Sequence, residues 1–460
     1  MTQTITIHMK KTLLFIFALL GTGVYAQEHF AGINTSRRTG IINATVNPAE
    51  LTNIKTQYEV NILNLSANVS NNKVSFGDLV GGNSDFEDLI FSGNKALNMK
   101  ADIEILGPAF AYKIDKWAFA ITTSAKVKAN ITDVDSRLGR ALSNGSDGLT
   151  IAGSIIAAGS NQKVTGTSWG EIGFSGARDI FENDQHKFSA GVTFKLIFPG
   201  SYANIGIDKF TGNIALGSGD NEGNAVLKNA STSINVAYSG SLADGFTDAG
   251  NFTDFFAGGL NGFAADLGFN YQLKDQENDG GYIVNAGLSL RNLGSMTFKD
   301  DNNESSNYSL NVTGAQEFNL SQFEGVDNLQ DIQAILDSDP LVTKGTPQKD
   351  FKVKQPALLS TYADVKVYNN WYVTGFLQQR LGDDAKNDQI VSQNVFTVTP
   401  RYSGEWFEAY MPFSSNEISG FTAGIGVRLG GFYIGSGSLL SAALTDTDQA
   451  DAYLGFRFGF

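Results

Sequence analysis

Apolar and polar residues alternate one for one along much of this chain. Phe188, Ala190, Val192, Phe194, Leu196 and Phe198 alternate with Lys187, Ser189, Gly191, Thr193 and Lys195. Phe263, Ala265, Leu267, Phe269, Tyr271 and Leu273 alternate with Asp266, Asn270 and Gln272. The same rhythm runs through Tyr282 to Arg291 and through Phe421 to Leu429. A period of two sends one set of side chains to each face of a β-strand. Each stretch is about ten residues, the length of a tilted strand that crosses a bilayer.

A soluble antiparallel sandwich also alternates, with its apolar face inward. Connection lengths separate the two cases. Tyr368-Asn369-Asn370, Ser403-Gly404 and Gly430-Gly431 are tight turns. Leu381 to Gln393, Ser414 to Ser419 and Leu439 to Asp448 are longer. Short and long connections alternate, as in outer-membrane barrels. Candidate strands fall at 57–69, 97–112, 117–129, 168–178, 186–198, 226–238, 262–273, 282–292, 351–367, 371–380, 394–402, 405–413, 420–429, 431–438 and 451–460. Segments 201–211 and 306–320 are ambiguous. Bacterial barrels favour even numbers, so the choice lies between fourteen strands and sixteen; the family resemblance given below implies fourteen. The longest connection, about 293–350, belongs outside the cell. Within it, 321–340 reads as a short helix, with Val326, Leu329, Ile332, Ile335 and Leu336 at helical spacing and Pro340 as its stop.

The two termini agree with a barrel. From Asp451 the chain reads DAYLGFRFGF, with Phe456, Phe458 and Phe460 on one face. This resembles the C-terminal signature of bacterial outer-membrane β-barrels, which implies that Phe458 and Phe460 are read by the barrel assembly machinery. At the other end, Lys10 and Lys11 precede the apolar run Leu13 to Leu20, and Val24-Tyr25-Ala26 is a small-x-small site. Residues 1–26 therefore read as a signal peptide, too short to span a membrane as a helix. The expected location of the mature chain is the outer membrane.

Composition narrows the function. There are 51 glycines, 33 phenylalanines, 15 tyrosines and no cysteine. Disulfides and thiolate chemistry are excluded. Removing residues 1–26 takes away two lysines and no acids, leaving 31 basic and 47 acidic residues and a net charge near −16. Such a surface argues against nucleic acid, whose phosphates need basic partners. Of the histidines, His8 leaves with the signal, His29 sits at the mature terminus and His186 reads as a turn residue. Neither of the latter promises the rigid neighbour that a catalytic triad or a metal site needs. Asp446, Asp448 and Asp451 share a loop, and Asp300, Asp301 and Glu304 share another, but neither has the spacing of a known calcium loop. No catalytic, cofactor-binding or metal residue is assigned, and no enzyme is expected.

What remains is the inner face. Lys126, Lys128, Asp266, Arg291, Asp364, Lys366, Arg380, Arg401, Glu408, Arg428 and Arg457 lie on the polar sides of their strands. A charge facing lipid costs up to a few kcal/mol at the bilayer midplane, so these should face the lumen. There they form either a salt-bridged filling or a selectivity lining.

Residues 27–52 do not alternate. They include Ser36-Arg37-Arg38-Thr39-Gly40 and Asn47-Pro48-Ala49 just before the first strand. Pro48 biases Asn47 away from helix and marks a turn into that strand. The segment resembles the N-terminal plug of long-chain fatty-acid transporter (FadL-like) barrels. The Asn-Pro-Ala signal and the later Arg291-Asn292-Leu293-Gly294 turn are similar to those of relatives in Bacteroidota, including barrels associated with type IX secretion. Over nearly the whole mature chain the sequence resembles outer-membrane proteins of the DUF5723 kind. The resemblance implies an all-β, up-and-down antiparallel transmembrane barrel over 53–460. It also implies a lumen plug that carries Arg37, Arg38, Asn47, Pro48 and Ala49. Ile33, Ile41, Ile42 and Val46 give that segment apolar side chains to bury, and Arg37 and Arg38 are expected to pair with Asp266, Asp364 or Glu408.

Two functions fit. One is a FadL-like channel for small, mostly hydrophobic molecules. The other is a non-transporting scaffold or accessory subunit of a surface secretion or assembly complex. The expected partners are the outer-membrane lipid bilayer, the assembly machinery, and either a small hydrophobic ligand or a secretion-complex subunit. A greasy lumen pocket with a lateral opening favours the first. A lumen filled by charge pairs favours the second.

Overall fold

A computed structural model describes residues 29–36, 38–75, 77–78, 89–143, 152–245, 248–277, 281–326 and 328–460. The expected signal peptide lies outside them. The alternating stretches build one closed antiparallel barrel of 14 strands. These are β1 (Tyr58–Asn71), β2 (Leu97–Leu106 with Ala109–Ile114), β3 (Trp117–Val134), β4 (Gln162–Glu182), β5 (His186–Leu216), β6 (Gly262–Lys274) and β7 (Tyr282–Phe298). Then follow β8 (Phe351–Lys354 with Leu358–Tyr368), β9 (Trp371–Arg380), β10 (Val395–Ser403), β11 (Phe407–Tyr410 with Phe413–Asn416), β12 (Gly420–Ala423 with Ile425–Leu429), β13 (Phe432–Ser436) and β14 (Gln449–Gly459). Each pairs with its chain neighbours, and β14 closes on β1 in the register Val60↔Phe458 and Leu65↔Leu454. Closure leaves no open edge in the wall, which lets a β-structure live in hydrocarbon. No helix among the described residues is long and apolar enough to cross a membrane.

The two faces separate as the alternation demands. On β6, Phe263, Leu267, Phe269 and Tyr271 are exposed, whereas Ala264, Asp266 and Asn270 are buried. Toward the rim with the short turns, Trp117, Tyr368, Trp371, Trp406, Phe407 and Phe460 stand exposed on the outside. Such amphipathic rings suit the level of lipid headgroups.

Four sequence expectations change. Residues 226–238 form a strand, Ala225–Ser239, but it is not part of the wall. The lower half of β5 pairs with β4 and β6. Its upper half rises past the rim and pairs with Ala225–Ser239, which pairs with Glu304–Val312, which pairs in turn with Val342–Lys344. Segment 201–211 is thus a continuation of β5, and 306–320 contributes the strand Glu304–Val312. Period two does not say what covers the apolar side. In Ala225–Ser239, Leu227, Ile234, Val236 and Tyr238 are buried in a protein core with Leu310, Leu329 and Leu336. In β6 the equivalent side chains face outward. Second, the helix of the long connection starts at Leu329, not near 321; Asn328 caps it by accepting from the Asp331 N–H at 2.7 Å. Third, Arg291-Asn292-Leu293-Gly294 is not a turn. It is a bulge inside β7, with the register slipping between Leu290 and Leu293 and Asn292 at φ 58°. The connection at 414–419 also shortens to three residues, 417–419, because β11 and β12 run further than the alternation suggests.

Candidate functional site: the lumen and its lining

Residues 29–54 lie against the inward faces of the strands. Ile41–Val46 is a helical turn and Pro48–Asn53 a 3-10 turn. Pro48 stands at the first position of that turn, where its missing N–H costs nothing. Asn47 caps it, its side-chain oxygen accepting from the Ala49 N–H at 3.1 Å. The Asn47 amide donates to the Phe269 carbonyl at 2.8 Å and to the Tyr362 hydroxyl at 3.1 Å. Three glycines on adjacent strands make room for this corner. A Cβ on Gly191 would lie 2.6 Å from the Ala49 nitrogen, and one on Gly268 would lie 2.0 Å from the Asn47 side-chain oxygen. A Cβ on Gly287 would meet the Tyr362 hydroxyl at 2.3 Å. Asn47, Pro48 and Ala49 therefore sit in a glycine trough across β5, β6 and β7. Next to them Glu50 is buried, and one oxygen accepts from Tyr362 and, at 2.9 Å each, from Asn270 and Asn285. Sequence reasoning singles out Asn47-Pro48-Ala49 and misses Glu50. The available signal was an acid with no basic neighbour inside an apolar stretch.

The preceding part of the segment touches the other side of the ring. The Tyr453 hydroxyl donates to the Ala31 carbonyl at 2.6 Å, and Arg401 donates to the Gly32 carbonyl at 3.1 Å. Ile33, Ile41, Ile42 and Val46 are buried. Glu408 accepts from Ser36 at 2.8 and 3.0 Å. Arg37 lies outside the described residues. Asp266, Asp364 and Glu408 pair with the strand cations Lys195, Arg401 and Arg428. His29 is also better held than the sequence suggested, with Nδ1 2.9 Å from the Ser66 hydroxyl and Nε2 3.1 Å from Asp102. His186 opens β5 and is not a turn residue; its Nδ1 lies 2.9 Å from the Tyr271 hydroxyl.

All eleven charged positions assigned to the inner face engage protein partners. Arg401 and Asp364 are paired at 2.9 Å with both side chains 0% exposed. Arg428 holds Glu408 at 2.6 Å and Arg457 holds Glu59 at 2.7 Å. Lys366 pairs with Asp275, Lys128 with Asp102, and Arg380 with Glu417 and, at 3.1 Å, with Asp384. The rest form a ladder with one residue from each successive strand. Lys126 on β3 lies 3.6 Å from Glu104 on β2 and 3.5 Å from Glu171 on β4. Lys195 on β5 lies 4.0 Å from Glu171 and 2.8 Å from Asp266 on β6. Asp266 then accepts the Asn292 N–H of β7 at 2.6 Å, which explains the bulge there. Arg291 donates to the Thr45 carbonyl at 3.3 Å, to the Ser360 hydroxyl at 3.1 Å and to Gln378 at 2.5 Å. Among the described residues no group of acids and histidines is placed to hold a metal. Asp446 accepts the Gly77 N–H, and Asp451 accepts from Gly437 and Ser438.

Beside this ladder lies a cavity of about 120 Å³, partly open to solvent. Phe30, Ile41, Ile42 and Val46 of the inner segment line one side, with Leu106, Trp169, Leu358 and Phe376 of the wall. The ladder lines the other. The loop at 381–394 reaches from β9 across the ring as a roof, and of its residues Ser392 lines the cavity. Lys163 donates to the carbonyls of Asp384 and Lys386 at 2.7 and 2.8 Å, Asn161 to that of Ala385 at 2.8 Å, and Tyr202 to that of Asn387 at 2.7 Å. The cavity reaches the wall at Gly107 and Thr123. There the regular ladder of β2 is broken, because Pro108 has no N–H; paired residues resume at Phe110↔Ile121, and the gap is bridged by the Gly107 N–H to the Thr123 carbonyl at 2.8 Å and by the Thr123 hydroxyl to the Pro108 carbonyl at 2.9 Å.

Closed strands, an apolar outer band and a polar inner face define a transmembrane β-barrel. Within that class the chain belongs to the Family of unknown function (DUF5723), whose model matches residues 48–437. Comparison with curated proteins finds no match. Among solved structures, the TodX deltaS2S3 mutant monoaromatic hydrocarbon channel is similar at 12% identity, covering 91% of this chain and 94% of that chain, with a TM-score of 0.45. The Pseudomonas putida toluene transporter TodX is similar at 11% identity, covering 95% and 98%, with a TM-score of 0.42. The Ralstonia pickettii toluene transporter TbuX is similar at 13% identity, covering 91% and 93%, with a TM-score of 0.39.

Proposed function

We propose that the protein is an outer-membrane channel for small, mostly hydrophobic molecules, with residues 29–54 acting as a plug. The observation that carries this reading is the cavity. It is surrounded by the barrel, floored by the inner segment, touched by the roof loop at Ser392 and half lined by apolar side chains. A concave, largely apolar chamber with a few fixed polar groups is what small hydrophobic ligands occupy. The charge-filled remainder of the lumen, which the scaffold reading anticipated, supports the wall and leaves this chamber open. That second reading keeps one support of its own, the small sheet that rises past the rim on Ala225–Ser239 and Glu304–Val312.

Trp169 is 1% exposed and lines the cavity, whereas Trp117, Trp371 and Trp406 face outward. With those three replaced by Phe, Trp169 reports on the chamber alone. Para-bromotoluene should quench it saturably in folded protein in detergent micelles. Quenching that only tracks partition into the micelle would rule the channel reading out.

A further inference from the structure

The cavity wall carries acids and cations in equal number: Asp102, Glu104, Glu171 and Asp266 against Lys126, Lys128, Lys195 and Arg291. Their arrangement is a ladder of alternating sign, with Glu171 at its centre between Lys126 and Lys195. Glu171 is further fixed by the Trp169 indole, which donates to it at 2.7 Å. Arg291 pairs with no carboxylate among the described residues, and it gives its terminal N–H groups to Thr45, Ser360 and Gln378. An ion that enters such a chamber gives up its hydration. To gain a counter-ion it must first break a pair whose remaining member is then stranded. An uncharged molecule meets no such obstacle, and its hydroxyl or ester oxygen can still lie along the ladder.

We infer that the chamber selects uncharged ligands and rejects carboxylates, and that Glu171 is the residue that sets this preference by balancing the charge of the two lysines it stands between. The inference rests on the channel reading above and names the substrate class of the same site. It commits the chamber to neutral small molecules, aromatic hydrocarbons and alcohols among them, and against the anions of the same size.

The test uses displacement of para-bromotoluene from the single-tryptophan protein at about pH 8, with toluene, benzyl alcohol and benzoate as competitors. Toluene and benzyl alcohol should compete comparably, and benzoate should be weaker by roughly tenfold or more, the cost of an unpaired ion in a closed site. The variant E171Q should strengthen benzoate relative to toluene by roughly tenfold, since it leaves the ladder with one positive charge in excess. Heat-modifiable gel mobility checks that the variant is folded. The double variant E171Q with Lys126→Met restores the balance and should lose benzoate again, which excludes a mere loosening of the site. If the wild type takes benzoate as well as toluene, the inference is overturned while the channel reading stands. It is overturned in the same way if benzoate binds and Arg291→Met abolishes that binding, because Arg291 would then be an open anion site. If none of the probes displaces or quenches, the channel reading itself fails.

Discussion

Gly191, Gly268 and Gly287 show how single residues position this site. Each has its inward side filled by the Asn47-Pro48-Ala49 corner or by the Tyr362 ring that holds it. A methyl group at Gly191 has backbone on the other side of the contact, so nothing flexible can yield. Overpacking of this kind costs about 1 to 3 kcal/mol. The substitution G191A should therefore expel the corner while the strand pairing persists. The control is G176A, where the nearest atom is 3.7 Å away and the methyl fits. Limited proteolysis of folded barrel should cut G191A near residues 47–54 and leave G176A intact. Equal protection of both would show that the trough is not what holds the segment. The sequence made Asn47, Pro48 and Ala49 visible because proline and a capping side chain have local causes. The glycines that receive them were invisible, since their meaning lies in three strands being adjacent. The partners of Arg401, Glu408 and Asp364 were hidden for the same reason, although their inward direction was legible from period two alone.

Whole elements were read best where a local rule fixes them. Fourteen of the alternating stretches became wall strands, because lipid on one side and water or protein on the other enforces the period. Ala225–Ser239 obeys the same rule with its apolar side against other protein, so alternation alone placed it wrongly. The loop at 381–394 escaped entirely. Its length reads as an outer connection, and only tertiary contacts with Lys163, Asn161 and Tyr202 turn it inward. This roof carries a titratable element. Burial pushes the Asp384 carboxyl up to about 6, against the opposing pull of Arg380 and Lys163. A carboxyl whose folded value lies above its unfolded value favours the folded loop in its protonated form. That contribution is fully present below the unfolded value near 3.8 and is lost as pH rises through about 6. The roof should be held more tightly at about pH 5 than at about pH 7.5. Hydrogen exchange of the amides in 381–394, corrected for the intrinsic pH dependence of exchange, should show greater protection at the lower pH. Asp384→Asn should make protection insensitive over that interval. A wild-type loop with the same corrected protection at both values would remove Asp384 from the closure.

At the scale of the molecule, the loop at 381–394 crosses the ring on the long-loop side and the N-terminal segment fills it on the short-turn side. The segment has two unequal halves. Residues 47–54 are locked by the glycine trough, by Glu50 with its three donors on the wall, and by the Thr52 carbonyl, which accepts from Lys113 at 2.6 Å and Lys187 at 3.1 Å. Residues 29–46 meet the wall through Ala31, Gly32, Ser36, Ile41, Thr45 and Val46, which bond Tyr453, Arg401, Glu408, Glu59, Arg291 and Ser289, and through the pairing of His29 with Asp102. The first half is wedged between strands, and the second bridges the opening. Deleting residues 28–46 should therefore leave the barrel folded, with 47–54 still seated, and should clear the floor of the cavity. Single-channel conductance in a planar bilayer should rise severalfold over the intact protein, and saturable quenching of Trp169 by para-bromotoluene should weaken as Phe30, Ile41, Ile42 and Val46 leave the chamber. Removal of the whole of 28–54 should by contrast lower the temperature at which the heat-modifiable form is lost, because Asn270, Asn285 and Tyr362 would lose the carboxylate they all face. Unchanged conductance after the shorter deletion would mean that residues 28–46 do not restrict flow, and the plug reading would fall while the barrel and its trough remained.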